Sequence, residues 1–338
     1  MQIRENISLK NYTTFKIAGK ARYFFEVKSL DELREAVQFA KSQAMSFFIL
    51  GGGSNTLFVL PSFKGVVIKI NIKGKEFGNA GGSVLARVGA GENWDDFVEE
   101  SVRRNLFGVE NLSAIPGSVG GAPIQNIGAY GAEVGDVIQS VEVFDTEKEH
   151  PRVFSSEECQ FAYRDSFFKT KEGGRFVVTA VNFLLRKEST PNLSYKDVAD
   201  YFRNEDLKQT LKNVRLAIVD IRRRKFPDLK KIGTAGSFFK NPIIDKHKYL
   251  ALQNRFKNVP GIAVSADFTK VSAAWLLDNV GNFKGMRHGD AGVWKLQPLV
   301  LVNFGGARGE EILFLSKKIQ EKIKDETGIE LELEVVVI

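Results

Sequence analysis

The sequence predicts an α+β fold built to hold a cofactor, and three observations carry that expectation. Two long glycine loops lie between apolar elements. Helical and strand periods follow one another with no internal repeat. At 338 residues the chain is long enough for two or three cored units. The first loop is Gly51-Gly52-Gly53-Ser54-Asn55, directly after the apolar run Phe47–Leu50. The second is Ile115-Pro116-Gly117-Ser118-Val119-Gly120-Gly121-Ala122-Pro123, continuing through Asn126-Ile127-Gly128 to Gly131. Glycines let the backbone turn sharply and aim successive N–H groups at one anion, so two such loops can grip a cofactor by its phosphates and its flat ring.

The elements follow in order. Residues 21–27 read as a strand, and Ser29-Leu30-Asp31-Glu32 as a capping box opening a helix to about Gln43, with Leu30, Leu33, Val37 and Ala40 on one face. Strands at 46–50 and 65–72 complete a small β-α-β unit. Its glycines lack the Gly-x-Gly-x-x-Gly spacing and open no helix, which disfavours a Rossmann site. A strand at 84–90 precedes an amphipathic helix at 92–104, acidic in its first turn and basic in its last. Strands follow at 137–145 and 176–185. The polar interval 187–205, with Pro191 and Ser194-Tyr195-Lys196, reads as a long surface loop, and such loops are often lids.

Residues 206–224 read as a helix stopped by Pro227, and 236–240 as a strand-like segment. A different unit follows, with helices at 248–255, 271–279 and 310–324 and a strand at 298–302. The end, Glu330–Ile338, reads as a strand that alternates acid and apolar residues before turning wholly apolar.

Composition narrows the function classes. The formal charge of +7 favours anionic partners, yet only Arg222-Arg223-Arg224-Lys225 is a dense basic run. That suits a phosphorylated small molecule rather than a nucleic-acid groove, which needs a longer basic stripe. The single cysteine, Cys159, leaves no intrachain disulfide, and His150, His247 and His288 lie without metal-ligand spacing, so no metal is expected. No apolar run is long enough to span a membrane. Residues 1–6 lack a signal-peptide core, which makes the cytoplasm the expected compartment. Phenylalanine, at 27 residues against 7 tyrosines and 3 tryptophans, marks an aromatic core.

Four residues can carry chemistry, three of them beside a plainer alternative. Ser237, between Gly236 and Phe238, either bonds to backbone or delivers a proton in a dry aromatic pocket; no placed histidine exists to make it a nucleophile. Arg164 either pairs with Asp165 or holds a substrate carboxylate with its planar fork. Glu334 either lies on a solvated edge with Glu330 and Glu332 or, being nearest the apolar end, points inward. Lys225, just before the Pro227 break, is placed to reach a phosphate. Residue chemistry alone thus gives a cofactor-binding α+β enzyme for a phosphorylated small molecule, with a carboxylate on it only if Arg164 is not spent on Asp165.

Taken together, these motifs resemble the UDP-N-acetylenolpyruvoylglucosamine reductase family of bacterial flavoenzymes. The resemblance runs through Asn11-Tyr12-Thr13-Thr14-Phe15, Gly51–Asn55, Gly89-Ala90-Gly91-Glu92-Asn93-Trp94, Ile115–Gly131, Tyr163-Arg164-Asp165-Ser166, Ala235-Gly236-Ser237-Phe238-Phe239-Lys240-Asn241-Pro242 and Ser272–Asp278. It departs at Val336, where the family often has a basic residue, and at Ala18-Gly19, where it often has two glycines.

The resemblance implies an FAD-binding domain of the vanillyl-alcohol-oxidase type, followed by a smaller α+β substrate-binding domain. It divides the chain into FAD-binding subdomains at 1–72 and 73–225, the latter with a lid loop at 187–205, a substrate domain at 226–330, and a terminal strand at 331–338 carrying Glu334. Gly51, Gly52, Gly53, Ser54 and Asn55 would cradle the FAD pyrophosphate, while Ile115, Pro116, Gly117, Ser118, Asn126, Ile127 and Gly128 would flank the flavin. NADPH would reduce the flavin, which would pass hydride to C3 of UDP-N-acetylglucosamine enolpyruvate. On this reading Arg164 and Glu334 stabilise the resulting intermediate and Ser237 protonates C2. Tyr195 closes over the UDP group, Lys225 meets the diphosphate, and Tyr163, Asn241 and Gln297 make further substrate contacts. A monomer is expected. The rival readings are an alcohol or sugar oxidase of the same cofactor fold, and a nucleotide-binding protein without turnover.

Overall fold

The computed structural model describes residues 2–338, which form two compact units. The first comprises the chain up to Ile7, Ala21–Gly52 and Lys64–Arg223; the second comprises Ser8–Lys20, Gly53–Phe63 and Arg224–Ile338. The units are therefore not consecutive blocks of sequence. Ser8–Lys20 and Gly53–Phe63 go with the second unit because Phe15, Ile17 and Leu57 are buried in its core.

In the first unit, Phe47–Leu50 runs parallel to Ser62–Ile70 within a four-stranded sheet. Helix α1 (Leu30–Ser42) leads into that edge. The Ser29 hydroxyl accepts the Glu32 N–H at 3.2 Å, and the Glu32 carboxylate accepts the N–H of Lys28 at 2.6 Å, a capping box displaced by one residue. Leu33, Ala36, Val37 and Ala40 make its buried face, with Leu30 left on the rim.

A five-stranded antiparallel sheet runs in the order His150–Ser155, Ile138–Asp145, Phe176–Arg186, Ser83–Gly89, Lys75–Ala80. Against it, α2 (Trp94–Arg103) buries Trp94 and Phe97, whose rings lie 6.0 and 4.7 Å from that of Phe183. The Trp94 indole N–H donates to the Leu112 carbonyl at 2.9 Å, which satisfies the buried polar end of the ring.

The interval 187–205 is not wholly loop: Lys196–Glu205 is helix α3, followed by α4 (Leu211–Lys225) rather than by a helix from 206. Val198 and Phe202 of α3, one turn apart, pack with Val214, Ala217, Ile218 and Ile221 of α4 and with Tyr130 in a small core of their own.

The second unit holds a four-stranded sheet, ordered Gly233–Ser237, Val300–Asn303, Ala291–Val293, Arg287–His288, and a three-stranded one of Ile243–Asp245, Phe268–Val271 and Gly261–Ala263. Its helices are α5 (Lys246–Arg255), α6 (Ala273–Trp275), which runs on as a π-helical turn over Leu276–Val280, and α7 (Gly309–Thr327). Helix α7 buries Ile312, Leu315, Ile319 and Ile323 and ends at Gly328, whose φ of +65° only glycine adopts freely.

The chain end is not one strand from Glu330. Glu330 and Glu332 are drawn into ion pairs with Lys324 and Lys240, and only Val336–Val337 pairs, in parallel, with Thr56–Leu57.

Candidate functional site

Within the first unit Gly51-Gly52, the start of the first glycine loop, meets the second loop. The Gly52 N–H donates to the Ser118 hydroxyl at 3.1 Å. A Cβ on Gly52 would lie 2.5 Å from the Gly117 Cα, and one on Gly51 would lie 2.8 Å from the Ser118 oxygen. Glycine at these positions is the condition for the contact. Lys69 donates its ammonium to the Gly51 carbonyl, and burial lowers its pKa.

The second loop lies against Gly89–Trp94. Trp94 N–H bonds the Gly117 carbonyl at 3.2 Å, Val119 N–H the Glu92 carbonyl at 2.9 Å, and Gly120 N–H the Ala90 carbonyl at 2.9 Å. A Cβ on Gly120 would collide with Ala90 at 2.6 Å, and one on Gly91 with Asn71 at 2.5 Å. The course of this loop is thus a matter of backbone close approach, enforced from both sides.

Arg164 sits at the tip of a tight turn closed by reciprocal Ala162–Asp165 backbone bonds of 3.1 Å, with φ of +54°. Its Nη2 donates to the Gly128 carbonyl at 2.6 Å. Asn126 braces this turn from below: its amide donates to Glu133 at 2.7 Å and to the Ala162 carbonyl at 3.1 Å, and its oxygen accepts the Gly135 N–H at 2.8 Å. Asn126 is buried and φ +45°. Tyr163 lies beside the Arg164 guanidinium, 5.3 Å from ring centroid to charge.

Tyr195 precedes α3, is 42% exposed, and meets Tyr130 edge-on with ring centroids 5.3 Å apart. Burial raises the pKa of both phenols. The segment before it is pinned by Asn111, whose amide donates to the carbonyls of Tyr130 and Asn192 at 2.8 and 2.9 Å.

In the second unit, Ser237 ends the strand Gly233–Ser237. The pairing to Val300–Asn303 shifts between Thr234 and Ser237, and Gly236 within the shift has φ +78°. A Cβ on Gly236 would meet nothing within 4 Å, so the backbone conformation alone requires glycine there. The bulge re-aims Ser237. Among the described residues its hydroxyl has no hydrogen-bond partner, so the backbone bond open to a serine in this position is not made.

Phe238 follows. Its N–H donates to the Leu299 carbonyl at 2.8 Å, and its carbonyl accepts the Glu334 N–H at 2.9 Å. Glu334 is half-buried where Glu330 and Glu332 are exposed. The Asn241 oxygen accepts the Ala273 N–H at 3.0 Å.

Gln297 lies in the turn before Val300, its carbonyl accepting the Val300 N–H at 3.0 Å. Its buried Oε1 has no partner among the described residues, nor has the buried indole N–H of Trp294 in the same turn. Trp294 is absent from the sequence-based set. Its only signal was its place three residues before Gln297.

Lys225 is the last residue of α4. Histidines 150, 247 and 288 are exposed.

The residues fit a flavin cofactor on the loops' own geometry. Beyond the glycine packing, the amide of Gly117 in the first unit donates to no protein acceptor among the described residues, and neither do those of Gly53 and Ser54 in the second, as anion-binding loops require.

Comparison with known proteins decides the family. Residues 21–150 match the model of an FAD binding domain, and residues 227–338 match that of the UDP-N-acetylenolpyruvoylglucosamine reductase C-terminal domain. The UDP-N-acetylenolpyruvoylglucosamine reductase of Flavobacterium johnsoniae is 43% identical over 100% of both chains. The chain belongs to the UDP-N-acetylenolpyruvoylglucosamine reductase family.

As a member of the reductase family, it is an FAD-dependent oxidoreductase acting on UDP-N-acetylenolpyruvoylglucosamine, a small-molecule UDP-sugar, in peptidoglycan synthesis. The crystal structure of the reductase from Thermus caldophilus matches at TM-score 0.71 and 26% identity, over 100% of this chain and 99% of that one. The 6-hydroxy-D-nicotine oxidase of Arthrobacter nicotinovorans shares the fold alone, at TM-score 0.54 and 13% identity over 97% and 86% of the chains. The expected α+β arrangement, an FAD-binding domain of the vanillyl-alcohol-oxidase type with a following substrate domain, is therefore the one this reductase has. No helix among the described residues is long and apolar enough to cross a membrane.

Proposed function

We propose that the enzyme uses NADPH as reductant and reduces the enolpyruvyl double bond by hydride addition to C3 and proton delivery to C2. When bound, FAD supplies the hydride. The residues that would hold it are Gly51–Asn55 at the pyrophosphate, with Ile115–Ser118 and Asn126–Gly128 about the ring.

Ser237 is the proton donor to C2 on this reading. The observation that carries it is the hydroxyl beside the Gly236 bulge, which has no hydrogen-bond partner among the described residues. A neutral hydroxyl suits protonation of a strongly basic carbon; no charged acid is needed.

Hydride addition to an enol ether builds negative charge on the adjoining carboxylate. The Arg164 guanidinium, held by the Gly128 carbonyl, is the group that would meet that charge. Glu334 acts on the same intermediate, with its backbone fixed at Phe238. A preorganised group of this kind lowers the barrier by about 3 kcal/mol.

Tyr195 covers the UDP group, Lys225 contacts the diphosphate, and Tyr163, Asn241 and Gln297 make polar contacts to substrate. The unpartnered Gln297 oxygen supports its place in that set. The working form is a cytoplasmic monomer.

An anaerobic titration tests the reaction. NADPH should bleach the flavin absorbance, and UDP-N-acetylglucosamine enolpyruvate should restore it. A bleached flavin that ignores the enolpyruvate but returns rapidly with oxygen would replace this reading with that of an oxidase.

A further inference from the structure

Ala114 is a left-handed residue, φ +57°, immediately before the loop Ile115–Ser118. A side chain with a Cβ adopts that conformation only where its surroundings hold it. Both of its polar backbone atoms are held by charged side chains. Its N–H donates to the Asp95 carboxylate at 2.6 Å, and its carbonyl accepts from Arg222 Nε at 3.0 Å.

Both holders are themselves fixed. Asp95, in the first turn of α2, takes a bidentate pair from Arg215 of α4 at 2.5 and 3.0 Å. Arg215 and Arg222 are seven residues apart and so share one face of α4. Arg222 also hydrogen-bonds the Tyr130 hydroxyl, and Tyr130 carries Tyr195 against its ring. One guanidinium thus touches the peptide that launches the flavin loop and the phenol on which the Tyr195 segment rests.

We propose that Arg222 is a positioning residue that couples the setting of the Ile115–Ser118 loop to the placement of Tyr195, through Ala114 on one side and Tyr130 on the other. The proposal rests on the assignments of that loop to FAD and of Tyr195 to the UDP group. It turns the innermost member of the basic run inward. Arg223 and Arg224, by contrast, are exposed.

The coupling makes separable predictions for the holoenzyme. FAD release, followed by recovery of flavin fluorescence on dilution, reads the loop. The KM for UDP-N-acetylglucosamine enolpyruvate reads Tyr195. Arg222→Met should speed FAD release at least tenfold and raise KM at least fivefold. Tyr130→Phe, which cuts only the second arm, should raise KM and leave FAD release within twofold of the parent. Adding Ala114→Gly to Arg222→Met should return FAD release to within twofold of the parent, because glycine adopts the left-handed backbone unaided, while KM stays raised.

A merely structural arginine would give no such split and no such rescue. Unchanged FAD release in Arg222→Met, or a rescue that restores KM together with release, overturns the coupling. Should Arg222→Met fail to fold, an unchanged KM in Tyr130→Phe overturns it alone. A parent enzyme that binds no FAD would instead overturn the functional reading on which the proposal rests.

Discussion

The side-chain amide of Asn55 donates to the backbone carbonyl of Glu334 at 3.0 Å, across 279 residues of sequence. The last residue of the first glycine loop therefore holds the residue assigned to the reaction intermediate. The Val336 N–H returns to the Asn55 carbonyl at 3.0 Å, so the loop end grips the terminal segment twice.

Replacing Asn55 tests that grip. Asn55→Ala removes this hydrogen bond, worth about 1 kcal/mol, and leaves the Glu334 carbonyl without that donor. Amide protection of Glu334 and Val336 should fall roughly fivefold in hydrogen exchange. Unchanged protection would mean that the Phe238 contact holds the segment alone.

Ser118 makes the corresponding contact between the two loops. Ser118→Ala strips the acceptor from the Gly52 N–H. The FAD dissociation constant should rise about tenfold, equivalent to ~1.4 kcal/mol. An unaltered constant would show that glycine packing sets the loop without the hydroxyl.

The α1 capping box and the two runs of glycines were legible because each is local, made by residues adjacent in the chain, whereas the Gly52–Ser118 contact between the runs was not. Nor was helix α3. Its cap position is Tyr195, which gives no side-chain cap, and its two buried residues, Val198 and Phe202, signal a helix only once α4 and Tyr130 lie against them. The terminal alternation misled for a related reason. Period two at Glu330–Val335 describes which side chains pair with lysines, and strand pairing waits for a partner at Thr56–Leu57 that no local pattern reveals. Arg222 read as one of a dense basic run suited to a phosphorylated small molecule, since nothing in the run itself distinguishes the residue that turns inward.

Glu110 is buried, and desolvation raises its carboxyl pKa even though its Oε2 accepts the Gly108 N–H at 2.7 Å. A group whose folded pKa is raised stabilises the fold below its ordinary value, about 4.3, and loses that contribution as pH rises through the folded value. Glu110→Gln keeps an acceptor and removes the charge. It should raise Tm by roughly 2 °C at pH 7, about 1 kcal/mol, and by less at pH 4. An equal shift at both pH values would contradict the desolvation account.

Burial pushes the Cys159 thiol up to about 12. At pH 8 it is protonated and fully enclosed, so a disulfide reagent should titrate no thiol in the folded enzyme and one after denaturation. Between pH 9, where the unfolded thiol ionises, and about 12, the folded chain still holds its proton, so this group makes stability fall as pH rises through that window. Rapid labelling of the native enzyme at pH 8 would refute the enclosure.

The central claim is that Ser237 gives the proton to C2. Stopped-flow measurement of the two half-reactions in Ser237→Ala tests it most directly. Flavin reduction by NADPH should stay within about twofold of the parent, while reoxidation by UDP-N-acetylglucosamine enolpyruvate should slow by at least 10²-fold, the low end of what a positioned proton donor contributes. Equal slowing of both half-reactions, or no slowing of the second, would contradict the assignment.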